Sequence, residues 1–264
     1  MNQIISRIPL YIEYFLKQVD LHSLQAPFVY SLYGDVIDAS GPENSKFEEI
    51  EKIRESLLVS NQKISYQTFG KRSSFSSTRR NKIATITRGG ISSKKDSLLF
   101  CRLIQYFNSK KIIELGSSLG INTAYLSLAS NVNSSIFTFE GHDELVEIAG
   151  NTFEQLKLRN VNMIRGNIDD QLPDLLNDHS DFDFVLIDAN HDYDAVINYF
   201  GLFEKHLKEN NIIVIDDIRW SKDMYRAWNN IIRKNCVTLS IDLGHLGVLL
   251  FKKGISKQHY MLAF

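Results

Sequence analysis

The stretch "KIIELGSSLGINTAYLSLAS" (Lys111–Ser130) decides the fold class. KIIELG is a short apolar, β-branched run and reads as a buried strand. NTAYLSLAS carries its apolar residues at helical spacing. Between them, Gly116-Ser-Ser-Leu-Gly120 is a glycine-rich strand-to-helix turn, where backbone can come close to a ligand. The alternation continues downstream. SIFTFE (135–140) reads as a strand and DELVEIAGNTFEQLK (143–157) as a helix. NMIRG (162–166) and FDFVLIDA (182–189) read as strands, with a short helix near LPDLL (172–176) between them. YDAVINYFGLFEKHL (193–207) predicts a helix, NIIVIDD (211–217) a strand and KDMYRAWNNIIRK (222–234) a helix. VTLSIDLG (237–244) and HLGVLLFKK (245–253) lie back to back and predict an antiparallel pair. Such alternation means an α/β fold, a mostly parallel sheet with helices on both faces and an antiparallel terminal hairpin.

Upstream the texture differs. Residues 1 to about 95 show apolar residues at helical spacing, as in Ile8, Tyr11, Ile12, Phe15 and later Ile50, Ile53, Leu57. Pro27 and the Gly41-Pro42 pair break the region into pieces. It reads as several helices, then a basic loop, then a helix over about 95–108. From Tyr66 to Asp96 the chain carries eight Lys/Arg and one acid, against a net charge of −1 for all 264 residues. This Ser/Thr-rich stretch, "KRSSFSSTRR" at its centre, reads as a solvated loop or as a rim that attracts anions beside a site. No run of apolar residues is long enough to span a membrane. The N-terminus lacks a signal-peptide core, so a cytoplasmic protein is expected. Cys101 and Cys236 are the only cysteines and are expected as buried free thiols.

In open α/β sheets ligands bind beyond the carboxyl ends of the strands. Those ends carry Glu114 and Gly116, Glu140, Asp188, and the pair Asp216–Asp217. Acids gathered from four strands repel one another unless a cationic or polyhydroxyl ligand sits among them. The turn lacks both G-x-G-x-x-G and the P-loop lysine, so a pyrophosphate is disfavoured. Glu140, at the tip of the second strand, is placed to accept both hydroxyls of a ribose. A nucleoside carrying positive charge fits these acids, and S-adenosylmethionine (SAM) is one.

The segments "IIELGSSLGINTAYLSLA", "FTFEGHDELVEIA", "MIRGNIDDQLPDLL", "FDFVLIDANHDYDAV" and "IIVIDDIRWS" resemble the successive motifs of class I SAM-dependent methyltransferases. The type most similar is the O-methyltransferase group of the catechol, caffeoyl-CoA and macrolide-sugar enzymes. "HSLQAPFVYSLYGDVI" and "DDIRWSKDMYRAW" also resemble a Bacteroidetes branch of the class. The resemblance implies a Rossmann-like sheet of seven strands with a helical N-terminal extension. Residues 1–94 would be the extension, its basic loop a lid or substrate cap, and 95–264 the SAM-binding domain. It implies that Glu114, Gly116, Ser117 and Gly120 line the methionine part of SAM. Glu140 and Gly141 would hold the ribose, Asn167, Ile168 and Asp169 would flank the adenine, and Asp188 would border the cofactor. Metal-dependent members bind Mg2+ through acids matching Asp188, Asp216 and Asp217.

The base departs from the catechol type, which carries a lysine three residues after the strand-four Asp. Here that residue is His191. The sugar enzymes place a histidine similarly, so His191 is the candidate general base, with Asp188 beside it. Imidazole is neutral near pH 7 without strong perturbation. Asp192 reads as a helix cap and Asn190 as loop geometry. Trp220 and Tyr225 could wall an acceptor pocket or belong to the core. The expected acceptor is a small hydroxylated molecule, and a homodimer is a candidate assembly. Nucleic acid is not expected, because no aromatic and basic platform is evident. Three rivals stay open: a metal-independent N- or carboxyl-methyltransferase, a non-catalytic SAM-binding protein, and an NAD-dependent oxidoreductase.

Overall fold

The computed structural model describes residues 2–39, 45–67 and 78–264. Helices α1 (Asn2–Lys17), α2 (Pro27–Leu32) and α3 (Glu48–Val59) come first. Strands β1 (Lys63–Gln67) and β2 (Thr78–Lys82) follow, then α4 (Ile83–Gly89) and α5 (Lys94–Tyr106). The alternating part runs β3 (Lys111–Leu115), α6 (Ile121–Ala129), β4 (Ser135–Glu140), α7 (Asp143–Gln155), β5 (Val161–Arg165) and α8 (Ile168–Asp178). It continues with β6 (Phe184–Ile187), α9 (Tyr193–Glu204), β7 (Ile212–Ile215) and α10 (Lys222–Ile232). The last strands are β8 (Leu239–Asp242), β9 (Gly247–Leu250) and β10 (Gln258–Met261).

The chain divides into two units, Met1–Ser40 with His179–Phe264, and Gly41–Asp178. Each unit holds its own run of mostly parallel strands. In the second unit β3, β4 and β5 lie side by side, all parallel. In the first unit the order is β10-β8-β9-β7-β6. There β6–β7 and β8–β10 pair parallel, while β9 runs antiparallel to both β7 and β8. The strands β6 (FVLI) and β7 (IIVI) are buried at every residue, which explains their unbroken apolar runs. Helix starts follow local chemistry. Ser93 and Asp96 form a reciprocal capping box on α5. Asp192 caps α9 by accepting from the Ala195 N–H at 3.0 Å, as its position suggests. Ser221 does the same for α10.

Two features differ from the sequence expectation. In the first unit β10 adds a parallel edge strand beside β8, beyond the terminal antiparallel pair expected from the sequence. Its sequence, QHYM, has no fully buried residue and so no apolar run to betray it. The region expected to hold only helices and a loop contains the antiparallel hairpin β1–β2. In β1, Ile64 is fully buried, packed with Ile83, Leu119 and Leu145, and its neighbours are polar. Ile64 stands between exposed Lys63 and half-buried Ser65, too little to read as alternation. The centre of the basic stretch, including Lys71 and Arg72, lies outside the described residues; Arg80, Lys82 and Arg88 are exposed. Both thiols are free; Cys101 is buried as expected, whereas Cys236 is half-buried, its Sγ against Glu204 Oε1. No helix among the described residues is long and apolar enough to cross a membrane.

Within the first unit, β9 lies flat on Trp228 of α10. A Cβ at Gly247 would come within 2.5–2.8 Å of the indole carbons. Replacing Gly247 by alanine is therefore expected to destabilise the protein by about 1–3 kcal/mol, read as a lowered urea midpoint. An unchanged midpoint would mean that the indole moves freely.

Candidate functional site

The second unit builds its site around the β3–α6 turn. Gly116, Ser118 and Gly120 have φ of 102°, 48° and 78°. Three left-handed residues in five coil the backbone tightly. The N–H groups of Gly116 and Ser117 both donate to the Phe139 carbonyl, at 3.1 and 2.9 Å, which pins the turn to the end of β4. Ser117 is buried, its hydroxyl 3.8 Å from Met163 Sδ. Gly120 serves helix packing. A Cβ there would lie 2.8 Å from the Phe153 ring and 3.1 Å from Ala149 of α7.

Glu140 ends β4 with its carboxylate turned back to this turn. Its Oε2 accepts from the Ser118 N–H at 3.0 Å. Its Oε1 accepts from the N–H of His142 at 3.0 Å and lies 2.9 Å from His142 Nδ1. Gly141 is half-buried between them. Asn167 starts α8, its Oδ1 accepting from the Asp169 N–H. Ile168 is buried and Asp169 exposed.

Glu114 stands apart from the other expected ligand residues. It has no exposed surface. Oε1 accepts from Asn122 Nδ2 at 3.1 Å; Oε2 accepts from the hydroxyls of Thr138, at 2.6 Å, and Thr123. The carboxylate therefore lies beneath the turn and fastens it rather than facing a ligand. Burial pushes its pKa up to about 7 against the pull of those three donors, with the nearby Glu140 adding to the rise.

The first unit gathers the remaining candidates. Asp188 follows β6, and Asn190, with φ of 47°, turns the chain while its Nδ2 donates to Tyr199. His191 Nε2 then lies 3.7 Å from Asp188 Oδ1 and 3.8 Å from Asp217 Oδ2. Burial draws the imidazole pKa below its ordinary 6.5, with Asp217 and Asp192 pulling the other way. Asp217 has φ of 55°, and its N–H donates to Asp216 Oδ1 at 2.7 Å. The Trp220 ring is 6.2 Å from the imidazole.

The Mg2+ site expected at Asp188, Asp216 and Asp217 is not shown. His191 stands within 4 Å of both Asp188 and Asp217, and Asp216 is engaged by its neighbour's N–H. Among the described residues no three His, Cys, Asp or Glu side chains group so as to hold a metal ion. A hard cation needs several converging oxygens. The donor set suits an imidazole flanked by carboxylates instead.

Sequence spacing gave no hint of three further residues here. The Arg7 guanidinium lies 3.7 Å over the Trp220 ring, and its buried Nε has no hydrogen-bond partner among the described residues. Tyr11 has its pKa raised by burial and then by Asp217. Arg219, fully buried, donates to both oxygens of Asp242, to Leu10 O and to Gly244 O. Tyr225 donates to Glu13 beside it. The contacts of Leu10 with Arg219, Arg7 with Trp220, Tyr11 with Asp217 and Glu13 with Tyr225 join positions about 200 residues apart, where no local periodicity can report them.

Residues 113–218 match a family model described as a methyltransferase domain. A curated protein-L-isoaspartate O-methyltransferase of Methanococcoides burtonii is 27% identical over 89 residues, 34% of this chain. The match spans 42% of that relative's length. The solved O-methyltransferase from Bacillus cereus in complex with SAH is 17% identical, with a TM-score of 0.58 over 87% of this chain and 99% of that one. The O-methyltransferase TomG from Streptomyces achromogenes, solved with SAM, is 19% identical, with a TM-score of 0.54 over 62% and 82%. At these identities the likeness to the solved structures is one of fold.

The buried Glu114 carries a pH signature. Its folded pKa of about 7 lies above the ordinary 4.5, so the folded protein holds a proton that the unfolded chain gives up. Its contribution is complete below the unfolded value and is lost as pH rises through the folded one. Between those two values stability should fall by about 3 kcal/mol at most. Glu114→Gln should flatten that fall in urea titrations at pH 5 and 7.5. An equal slope in both proteins would show that Glu114 is ionised in the fold.

Proposed function

We propose, from the match of residues 113–218 to a methyltransferase domain, that this chain is an enzyme that transfers the methyl group of SAM to a hydroxyl oxygen of a small acceptor. The observation that carries the reading is Glu140. A carboxylate at the tip of a parallel strand, aimed at a turn of left-handed backbone, is the arrangement that takes a ribose. The turn supplies bare glycine backbone, and no lysine or arginine stands in it to favour a phosphate. When bound, SAM supplies an electrophilic methyl on a sulfonium sulfur.

His191 is the base in this reading. Burial keeps the imidazole neutral at pH 7, able to take the acceptor's hydroxyl proton as the new O–CH3 bond forms and the S–CH3 bond breaks. Asp188 and Asp217 stabilise the imidazolium that results. Most of the acceleration comes from holding acceptor and methyl in line. The described residues show no ligand group for a metal, so no step is routed through Mg2+.

The test begins with calorimetry using S-adenosylhomocysteine (SAH). Wild type should bind it, and Glu140→Ala should weaken binding on the order of a hundredfold. Methyl transfer from labelled SAM to a panel of phenols, catechols and sugars should then identify the acceptor. With it, His191→Ala should lower kcat roughly 10²–10⁴-fold while SAH binding holds. The acid limb of kcat/KM should fall below pH 6.5, since the imidazole pKa lies under that value. Activity should survive EDTA. Loss on chelation with recovery in Mg2+ would restore the metal reading. SAH binding with transfer to no acceptor would point to a non-catalytic SAM-binding protein.

A further inference from the structure

Glu140 is more heavily occupied than a ribose site should be. A carboxylate has about four lone-pair positions for hydrogen bonds. Oε1 meets two donors of one residue, the N–H and the imidazole Nδ1 of His142. Oε2 meets the Ser118 N–H. Roughly one position is left, whereas the vicinal 2′,3′-diol of a ribose offers two O–H donors. One of the three present bonds must open for both hydroxyls to bind.

Two of the three donors cannot leave. Ser118 N–H belongs to the turn that the Phe139 carbonyl holds through Gly116 and Ser117. The His142 N–H belongs to the start of α7, where the His142 carbonyl already accepts from Val146 N. Glu140 is itself held at its backbone, its carbonyl accepting from Gly166 N. The third donor, the His142 ring, belongs to a side chain and turns about its own bonds, unlike the two backbone groups. It is part-exposed, at 17%, so it has solvent to turn into.

We infer that the His142 imidazole occupies the ribose-diol position on Glu140 and must swing off the carboxylate before a nucleoside engages both hydroxyls. This rests on the nucleoside reading of Glu140. His142 then acts as a built-in competitor that lowers affinity for diol-bearing ligands, and it touches no reacting atom.

Calorimetry on wild type, His142→Ala and His142→Phe tests the inference with three ligands: SAH, adenosine and 2′-deoxyadenosine. Phenylalanine keeps the ring volume and lacks the donor, and it carries the comparison if the alanine variant does not fold. Both variants should bind SAH and adenosine on the order of tenfold more tightly than wild type, the scale of one charge-assisted hydrogen bond no longer broken. Binding of 2′-deoxyadenosine, which needs a single position, should not change. SAH binding that is unchanged or weaker in the variants would overturn the inference while leaving the nucleoside reading intact. So would a gain that is equal for all three ligands. Absence of SAH binding by wild type and variants alike would remove the nucleoside reading and this inference with it.

Discussion

The carboxylate of Glu114 has no contact with water, and the turn that follows it depends on that burial. Its partners come from two elements. Asn122 and Thr123 belong to α6 and Thr138 to β4. A single side chain near the end of β3 thus ties the strand, the helix after it and the neighbouring strand together. An apolar residue could fill the space but would leave buried donors unsatisfied, and each such donor costs about 1–3 kcal/mol. The polar cluster has a second effect. It fixes where α6 begins, and so the path of the five residues that connect β3 to it. Gly120 completes the constraint, because α7 approaches too closely there for any side chain.

In the first unit an ion pair does comparable work. Arg219 and Asp242 are both fully buried and meet through two parallel contacts, at 2.5 and 2.8 Å. The guanidinium also reaches Leu10 O and Gly244 O, and lies about 5 Å from the Tyr14 and Tyr225 rings. Such a pair adds little net stability compared with a packed apolar core, but losing one partner strands a charge. Its geometric consequence is larger. Arg219 is two residues after Asp217 and one before Trp220, so the pair anchors the loop that carries both. The same guanidinium binds the carbonyl of Leu10 in α1, which brings Arg7 and Tyr11 to the loop.

Much of this was legible in the sequence because burial leaves a periodic trace. FVLI and IIVI read as strands since every residue is buried. The cap at Asp192 and the order of the acids at strand ends were equally readable, because each depends on residues close in sequence. What escaped depends on contacts between distant segments or on elements with little core. The strand β10 buries too few apolar residues to show alternation. Arg7, Tyr11 and Arg219 acquire their roles through partners about 200 residues away. The division of labour between Glu114 and Glu140 also escaped. Both are acids at strand ends, and only burial tells that one supports the turn while the other faces it.

The imidazole of His191 shows how two opposing effects can be set against each other. Asp217 and Asp192 favour the protonated ring, and on their own they would raise its pKa. Burial disfavours the charge, and it is the larger influence. A ring in that balance is neutral at rest and gains stabilisation as it becomes charged, since the carboxylates of Asp188 and Asp217 already stand within 4 Å of Nε2. A lysine in the same place would need a far deeper depression of its pKa to be neutral near pH 7. Cation ligation would require those same carboxylates to turn from the ring toward a metal, and the base would lose the groups that stabilise its charged form. Within this loop pair, the imidazole and a shared metal compete for one set of oxygens.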